Sequence, residues 1–211
     1  MTEQVLLLHG LWMRSLVMRP LAARLRAAGF VVHTLDYASI LRGPEPCIAY
    51  VTARLRRETG STVHLVGHSL GGIIAVRAAL AAGDAFRGRI LCLGSPLAGS
   101  ATARSLVGRR GLGSLVGRSA ALLARGVEAL PAEREVGVIA GWRGVGLGRL
   151  LHRVEAPNDG TVSVAETRVP GLAAHAEVEV SHTGLVYSRE VARLATRFLR
   201  EGRFSGADSP A

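Results

Sequence analysis

Short apolar runs alternate along the chain with longer segments in which apolar residues recur at helical spacing. The runs lack the polar alternation of a half-exposed strand, which is typical of strands buried on both faces of a parallel sheet. The pattern therefore predicts an α/β protein with a mostly parallel six-stranded sheet and helices on both faces. The predicted strands are Val5–Leu8, Val31–Leu35, Val63–Val66, Ile90–Leu93, Val136–Ala140 and Val178–Val180, and the predicted helices are Leu16–Ala28, Pro46–Glu58, Ile73–Ala82 and Ser188–Arg200.

The chain length of 211 residues is typical of one domain. We expect a single domain over residues 1–201 and a flexible tail over residues 202–211. Residues 105–130 stand apart, because the apolar residues from Leu112 to Leu130 fall near helical spacing with arginines between them. Two interpretations stay open for this segment: an ordinary helix that covers the sheet, and a mobile lid or interfacial helix.

The formal net charge of +10 comes entirely from arginine, because the sequence contains no lysine. No block of five like charges and no nucleic-acid-binding motif accompanies this charge, so we expect no nucleic-acid partner. Charge of this sign also attracts anionic lipid, and peripheral contact with an anionic membrane stays open. The oligomeric state is not predicted by the sequence.

Other sequence features limit location and cofactors. No apolar run approaches the ~20 residues of a membrane span, and the basic-free N-terminus does not resemble a signal peptide, so we expect a cytoplasmic protein. Cys47 and Cys92 predict no disulfide framework, and neither has metal-ligand spacing to a histidine. In the glycine-rich segment 144–149, Arg149 takes the place of the third glycine of a dinucleotide-binding turn. We therefore expect no metal and no organic cofactor.

The segment Gly67-His68-Ser69-Leu70-Gly71-Gly72 contains a G-x-S-x-G motif directly after the predicted strand Val63–Val66. A serine at a tight strand-to-helix turn projects its hydroxyl away from the sheet, beside the free N–H groups of the helix N-terminus. Residues two before and two after the serine must lack side chains, which Gly67 and Gly71 satisfy. The motif predicts a nucleophilic Ser69.

This motif in this context resembles the nucleophile turn of the α/β-hydrolase family, in particular its small bacterial lipase and esterase branch. Three further segments carry the resemblance, which extends over residues 4–200 and is weakest over 100–132. These segments are His9-Gly10-Leu11-Trp12, Asn158-Asp159-Gly160 and Ser181-His182-Thr183-Gly184. The resemblance implies a minimal α/β-hydrolase fold and a Ser-His-Asp triad.

The order serine, acid, histidine in this fold restricts the other two triad members. Three histidines follow Ser69. His175 precedes the predicted last strand and His152 precedes the best acid, so we predict His182 as the base. Of four aspartates, only Asp159 follows the serine at a suitable edge of the sheet, with Glu155 as the alternative acid. We expect His68, next to the nucleophile, to face away from it and to pack locally.

The oxyanion of an acyl-transfer intermediate requires two hydrogen-bond donors. The backbone N–H of Leu70 is one candidate, and that of Leu11 is the second, with the N–H of Trp12 as its alternative. We expect Trp12 to line the acyl site and His9 to orient this loop. The sequence thus predicts a lipase- or carboxylesterase-like hydrolase of carboxylic esters, whose substrate is a small-molecule acyl ester of unspecified chain length. A thioesterase or acyltransferase with the same triad, or a non-catalytic module that binds a membrane or partner, remains open.

Overall fold

The structure is a computed structural model that describes residues 3–58, 60–107, 117–131, 133–144 and 154–204. Its sheet has six strands, all parallel, in the spatial order β2-β1-β3-β4-β5-β6. The predicted fold class is therefore confirmed. The strands are β1 (Glu3–Leu8), β2 (Val31–Leu35), β3 (Thr62–His68), β4 (Ile90–Leu93), β5 (Val136–Gly141) and β6 (Ala174–Val178).

Helices cover both faces of this sheet, as the strands' continuous apolar character requires. Leu6 and Leu8 pack with the helices on one face, whereas Val5 and Leu7 pack with those on the other. The first face carries α2 (Glu45–Arg57), α3 (Leu70–Ala82), α4 (Ala101–Val107) and α5 (Ala120–Arg125). The second carries α1 (Arg19–Ala27), α6 (Gly184–Tyr187) and α7 (Arg189–Glu201).

Two predicted elements differ from the structure in more than the exact position of their ends. The predicted helix Leu16–Ala28 is divided into a 3₁₀ turn, Ser15–Met18, and α1, because Pro20 favours the first turn of a new helix. The predicted last strand, Val178–Val180, is wrong, since β6 ends where that prediction begins. Apolar and polar residues alternate along β6, as expected of an edge strand exposed on one face.

The described parts of segment 105–130 form short helices. α4 ends at Val107, and Gly126 ends α5 with a φ of 77°. On α5, Leu123 is buried, and its carbonyl accepts a hydrogen bond from the Ser100 N–H at 2.8 Å. This end of the segment is thus anchored. Leu112, Leu115 and Val116, on which the helix and lid interpretations depended, lie outside the described residues.

Phe204 falls within the segment that we expected to be a tail. Its side chain is buried, and its ring stacks on that of Phe198 with 5.2 Å between centroids. Residues 205–211 lie outside the described part of the chain. Within the described residues, no helix has the length and apolar character needed to cross a membrane.

Candidate active site

The turn between β3 and α3 holds Ser69 in an uncommon backbone conformation, with φ 55° and ψ −121°. A Cβ on Gly67 would lie 2.2 Å from the backbone carbon of Gly71, and a Cβ on Gly71 would lie 2.3 Å from the Leu8 oxygen. Only glycine fits at both positions, as the motif predicted. A hydrogen bond from the Ser69 N–H to the Leu93 carbonyl at 2.9 Å joins the turn to the end of β4. Ser69 itself is partly exposed.

Asp159 lies in a tight turn between β5 and β6. Its Oδ1 accepts hydrogen bonds from the backbone N–H groups of Thr161 at 2.9 Å and Val162 at 2.8 Å. Its side chain is only 1% exposed. The two N–H donors fix the carboxylate plane and leave Oδ2 for another partner.

That partner is His182, in the loop after β6. His182 Nδ1 lies 2.6 Å from Asp159 Oδ2, and the His182 N–H donates to the Asp159 carbonyl at 2.9 Å. A carboxylate at Nδ1 fixes the proton on that nitrogen and leaves Nε2 able to accept another. The structure thus brings together the predicted acid and base, which are separated by 23 positions in the sequence.

His68 connects the serine turn to the histidine loop. Its Nε2 donates to the His182 carbonyl at 2.9 Å, and the two imidazole rings lie 4.6 Å apart between centroids. Its side chain is completely buried, and this burial lowers the pKa of His68 to about 3. The expectation that His68 packs locally is therefore wrong, because its partner lies 114 residues further along the chain.

The loop after β1 runs beside the serine. A Cβ on Gly10 would lie 3.1 Å from the Ser69 Cβ, so the two backbones approach closely. The Met13 N–H donates to the Gly10 carbonyl at 3.4 Å, which closes a turn in which Trp12 has a φ of 60°. Among the described residues, the N–H groups of Leu11 and Leu70 show no hydrogen-bond acceptor. Both candidate donors are thus available to a ligand.

His9 and Tyr37 support this loop from the side of β2. The two rings stack at 4.1 Å between centroids, the Tyr37 N–H donates to His9 Nε2 at 3.3 Å, and the Tyr37 hydroxyl donates to the His9 carbonyl. Burial lowers the pKa of His9, because it disfavours the charged imidazolium. Asp36 accepts hydrogen bonds from the Ser15 N–H at 3.0 Å and from Arg14 Nε at 3.1 Å. The far end of the loop is thus fixed as well.

The alternative residues lie elsewhere. Glu155 is exposed, in contrast to the buried Asp159. His175 lies within β6, not before it, and its Nε2 is 2.9 Å from Thr167 Oγ1. His152 lies outside the described residues.

These features agree with the comparisons to known proteins. The model of the alpha/beta hydrolase family matches residues 5–203. The chain belongs to the alpha/beta hydrolase family. No curated protein matches this sequence.

Solved structures of several hydrolases share this architecture. A Bacillus licheniformis lipase in its propeptide form superposes with a TM-score of 0.79 at 20% identity, covering 100% of this chain and 52% of the lipase. A metagenomic carboxyl esterase gives a TM-score of 0.66 at 16% identity, covering 85% of this chain and 64% of the esterase. A pyrethroid hydrolase from Sphingobium faniae gives a TM-score of 0.64 at 17% identity, covering 95% of this chain and 98% of the hydrolase. This chain thus spans about half the length of the lipase.

Sequence reasoning missed Glu166, which supports the Asp159 turn of this alpha/beta hydrolase. Its carboxylate accepts hydrogen bonds from the Ser163 N–H at 2.7 Å and from the Ala101 N–H at the start of α4. A glutamate three residues after a serine is a helix-start signal, and here Ser163 and Glu166 bond reciprocally. Among the described residues, no group of three or more His, Cys, Asp and Glu is placed to hold a metal ion.

Proposed function

We propose that the protein is a serine hydrolase that cleaves carboxylic esters through an acyl-enzyme intermediate. The observation that carries this proposal is the 2.6 Å contact between His182 Nδ1 and Asp159 Oδ2, at the sheet edge that also holds Ser69. A serine hydroxyl is a weak nucleophile at neutral pH, so it needs an imidazole held in this tautomer.

In the proposed acylation, Ser69 Oγ attacks the ester carbonyl carbon while its proton passes to His182 Nε2. The carbonyl electron pair moves onto the oxygen, which becomes the oxyanion. Collapse of this intermediate breaks the bond to the leaving alkoxide, and that alkoxide takes the proton from His182. Water then repeats the two steps on the acyl-enzyme. Asp159 stays ionised and stabilises the imidazolium that forms at each stage.

The N–H groups of Leu70 and Leu11 are the proposed oxyanion donors. Leu70 is the first residue of α3, where backbone N–H groups have no partner within the helix. Leu11 lies in the loop that packs against Ser69 through Gly10. Loss of one such donor costs on the order of 10²–10³ in turnover.

Apolar surface beside the site favours an acyl substrate. Trp12 is 51% exposed and Trp142, directly after β5, is 41% exposed. Both residues follow carboxyl ends of strands, the edge at which α/β sheets bind ligands. We propose that Trp12 lines the acyl site. A thioester, or an acceptor other than water, would use the same groups, so acyl transfer and thioester cleavage remain alternatives.

Hydrolysis of a p-nitrophenyl ester series from acetate to palmitate tests the proposed function. We expect wild-type turnover that Ser69→Ala abolishes, with a chain-length optimum that Trp12→Ala shifts. Labelling by a fluorophosphonate, followed by peptide mass spectrometry, should place the adduct on Ser69. If wild type and Ser69→Ala are equal in both assays, the serine mechanism is wrong.

We further propose that the same edge contacts anionic membranes. Arg143, and Arg14 although it pairs with Asp36, are exposed beside Trp142 and Trp12 in the sequence, which places cationic side chains next to interfacial aromatic groups. The fraction of the protein that co-sediments with anionic vesicles at low salt should decrease when both Trp12 and Trp142 are replaced by serine. Leu80→Ser, at the end of α3 on the opposite edge of the sheet, is the control. Equal sedimentation of all three proteins would contradict this proposal.

A further inference from the structure

His68 is the residue through which the serine turn and the histidine loop touch each other. It is bonded covalently to Ser69 and donates from Nε2 to the His182 carbonyl at 2.9 Å. On its other side, a Cβ on Gly10 would lie 3.1 Å from His68 Nδ1. The backbone of His68 is therefore part of the nucleophile turn, while its imidazole contacts the loop of the base and lies close to the loop of the oxyanion donors.

The chemistry of this imidazole is fixed by its surroundings. A carbonyl oxygen only accepts hydrogen bonds, so His68 must carry its proton on Nε2. Burial lowers the pKa of His68 to about 3, so the ring is neutral. Its Nδ1 is then an acceptor, and it is buried without a hydrogen-bond partner among the described residues.

A buried acceptor without a donor costs free energy, which an apolar side chain of similar size would avoid. Packing alone therefore does not account for a histidine at this position. The Nε2–H group offers what an apolar side chain lacks, namely a rigid donor aimed at the backbone of residue 182. The donated bond restrains the His182 carbonyl, whereas the His182 N–H and Nδ1 are the groups that bond to Asp159.

We propose that His68 is a positioning residue that holds the His182 backbone so that its imidazole meets Ser69. This inference rests on the proposed function, because it assigns the base role to His182. Asp159 fixes the tautomer and plane of the His182 ring, and His68 fixes the distance of the loop from the serine turn. Displacement of a reacting group by about 1 Å costs up to 10²-fold in rate.

Two substitutions of His68 separate the effect of losing its hydrogen-bond donor from the effect of losing the volume of its ring. His68→Leu fills similar space without a donor, whereas His68→Gln retains an N–H donor. The control is His175→Leu, which removes a partly buried histidine on β6 that is hydrogen-bonded to Thr167. We expect His68→Leu to lower kcat by about 10- to 100-fold with KM nearly unchanged. His68→Gln should recover most of that loss, and His175→Leu should leave kcat unchanged.

Active-site titration with a fluorophosphonate and thermal unfolding accompany these kinetics, so that loss of folded enzyme is counted separately. A kcat for His68→Leu equal to that of His175→Leu, per folded enzyme, would overturn the inference while Ser69→Ala still tests the proposed function.

A spectroscopic readout does not depend on turnover. The Nδ1 proton of His182, shared with Asp159 at 2.6 Å, should give a far-downfield proton resonance. We expect this resonance to shift or broaden in His68→Leu and to stay in place in His175→Leu. If it is unchanged in His68→Leu, the positioning role is wrong even when no ester substrate is turned over.

Discussion

Ser69 and Trp12 both have positive φ angles, at 55° and 60°, on either side of the candidate oxyanion site. Side chains with a Cβ are strained in such conformations, by about 1–3 kcal/mol each. The fold therefore holds the nucleophile and the oxyanion loop in conformations that the chain alone would not adopt. Strain at two neighbouring turns is consistent with a site built for chemistry at the cost of stability.

Replacement of Ser69 by glycine should stabilise the protein. Glycine adopts φ 55° and ψ −121° without strain, although it loses about 0.5–1 kcal/mol through its greater freedom in the unfolded chain. We expect the free energy of unfolding of the Ser69→Gly variant to be about 1 kcal/mol higher than that of the Ser69→Ala variant. Urea denaturation of the two inactive variants measures the difference, and equal stabilities would show that the turn is unstrained.

Tyr37 should affect turnover through the oxyanion loop. Its hydroxyl donates to the His9 carbonyl at the start of this loop. We expect Tyr37→Phe to lower kcat by about tenfold with little change in KM, because a displaced donor weakens only transition-state binding. Tyr50→Phe, on the exposed side of α2, is the control. Equal kcat values for the two variants in the ester assay would exclude this role.

At the scale of elements, the sequence predicted the edge strand β2 with its exact bounds but misplaced the other edge strand, β6. β4 and β5 are apolar throughout, β1 and β3 contain apolar runs, and each of the four overlaps its predicted run. Apolar and polar residues alternate along β6, so it contains no continuous apolar run. The last strand was therefore predicted at Val178–Val180 instead of at Ala174–Val178. The misplaced strand put His175 before β6, although His175 is part of it.

Glu166 should stabilise two elements at once. Its carboxylate caps the start of α4 through Ala101 and closes the Asp159 turn through Ser163. Hydrogen bonds to a charged group each contribute about 1.5–3 kcal/mol, so we expect Glu166→Ala to lower the free energy of unfolding by roughly 2 kcal/mol or more. Turnover should fall as well, since the Asp159 turn loosens.

Glu177→Ala is the control for this substitution, because it removes an exposed carboxylate paired only with Arg168 among the described residues. Exposed pairs contribute about 0–1 kcal/mol. Urea denaturation of both variants gives the comparison. Similar losses of stability for Glu166→Ala and Glu177→Ala would mean that Glu166 does not hold the turn.

For the whole molecule, local patterns were enough to predict a mostly parallel six-stranded sheet, apart from the position of β6, and motifs with the family resemblance were enough to name Ser69, Asp159 and His182 as candidates. The supporting contacts were not predictable, because they join residues far apart in the chain. The His68–His182 bond spans 114 positions, and the Glu166–Ala101 bond spans 65. Such pairs depend on how the helices and loops pack, and a single sequence contains no periodic signal for them. The triad roles and the cytoplasmic location stay predictions.

Buried histidines should make the stability of the whole molecule depend on pH. Burial, together with the charge of Arg168, lowers the pKa of His175 to about 4, and burial lowers that of His68 to about 3. In the unfolded chain both titrate near 6.5. Between these values the unfolded state binds protons that the folded state does not, so stability falls as pH falls from about 6.5 towards 4.

Each fully neutral histidine contributes a slope of up to about 1.4 kcal/mol per pH unit to the free energy of unfolding in this window. Urea denaturation at intervals from pH 7 to about pH 4.5 measures the slope. His175→Gln removes one titrating group and keeps a hydrogen-bonding partner for Thr167. We therefore expect the variant to lose less stability on acidification than wild type. Its free energy of unfolding should change with pH by up to about 1.4 kcal/mol per pH unit less than that of wild type. Parallel pH profiles would mean that His175 is protonated in the folded state as readily as in the unfolded one.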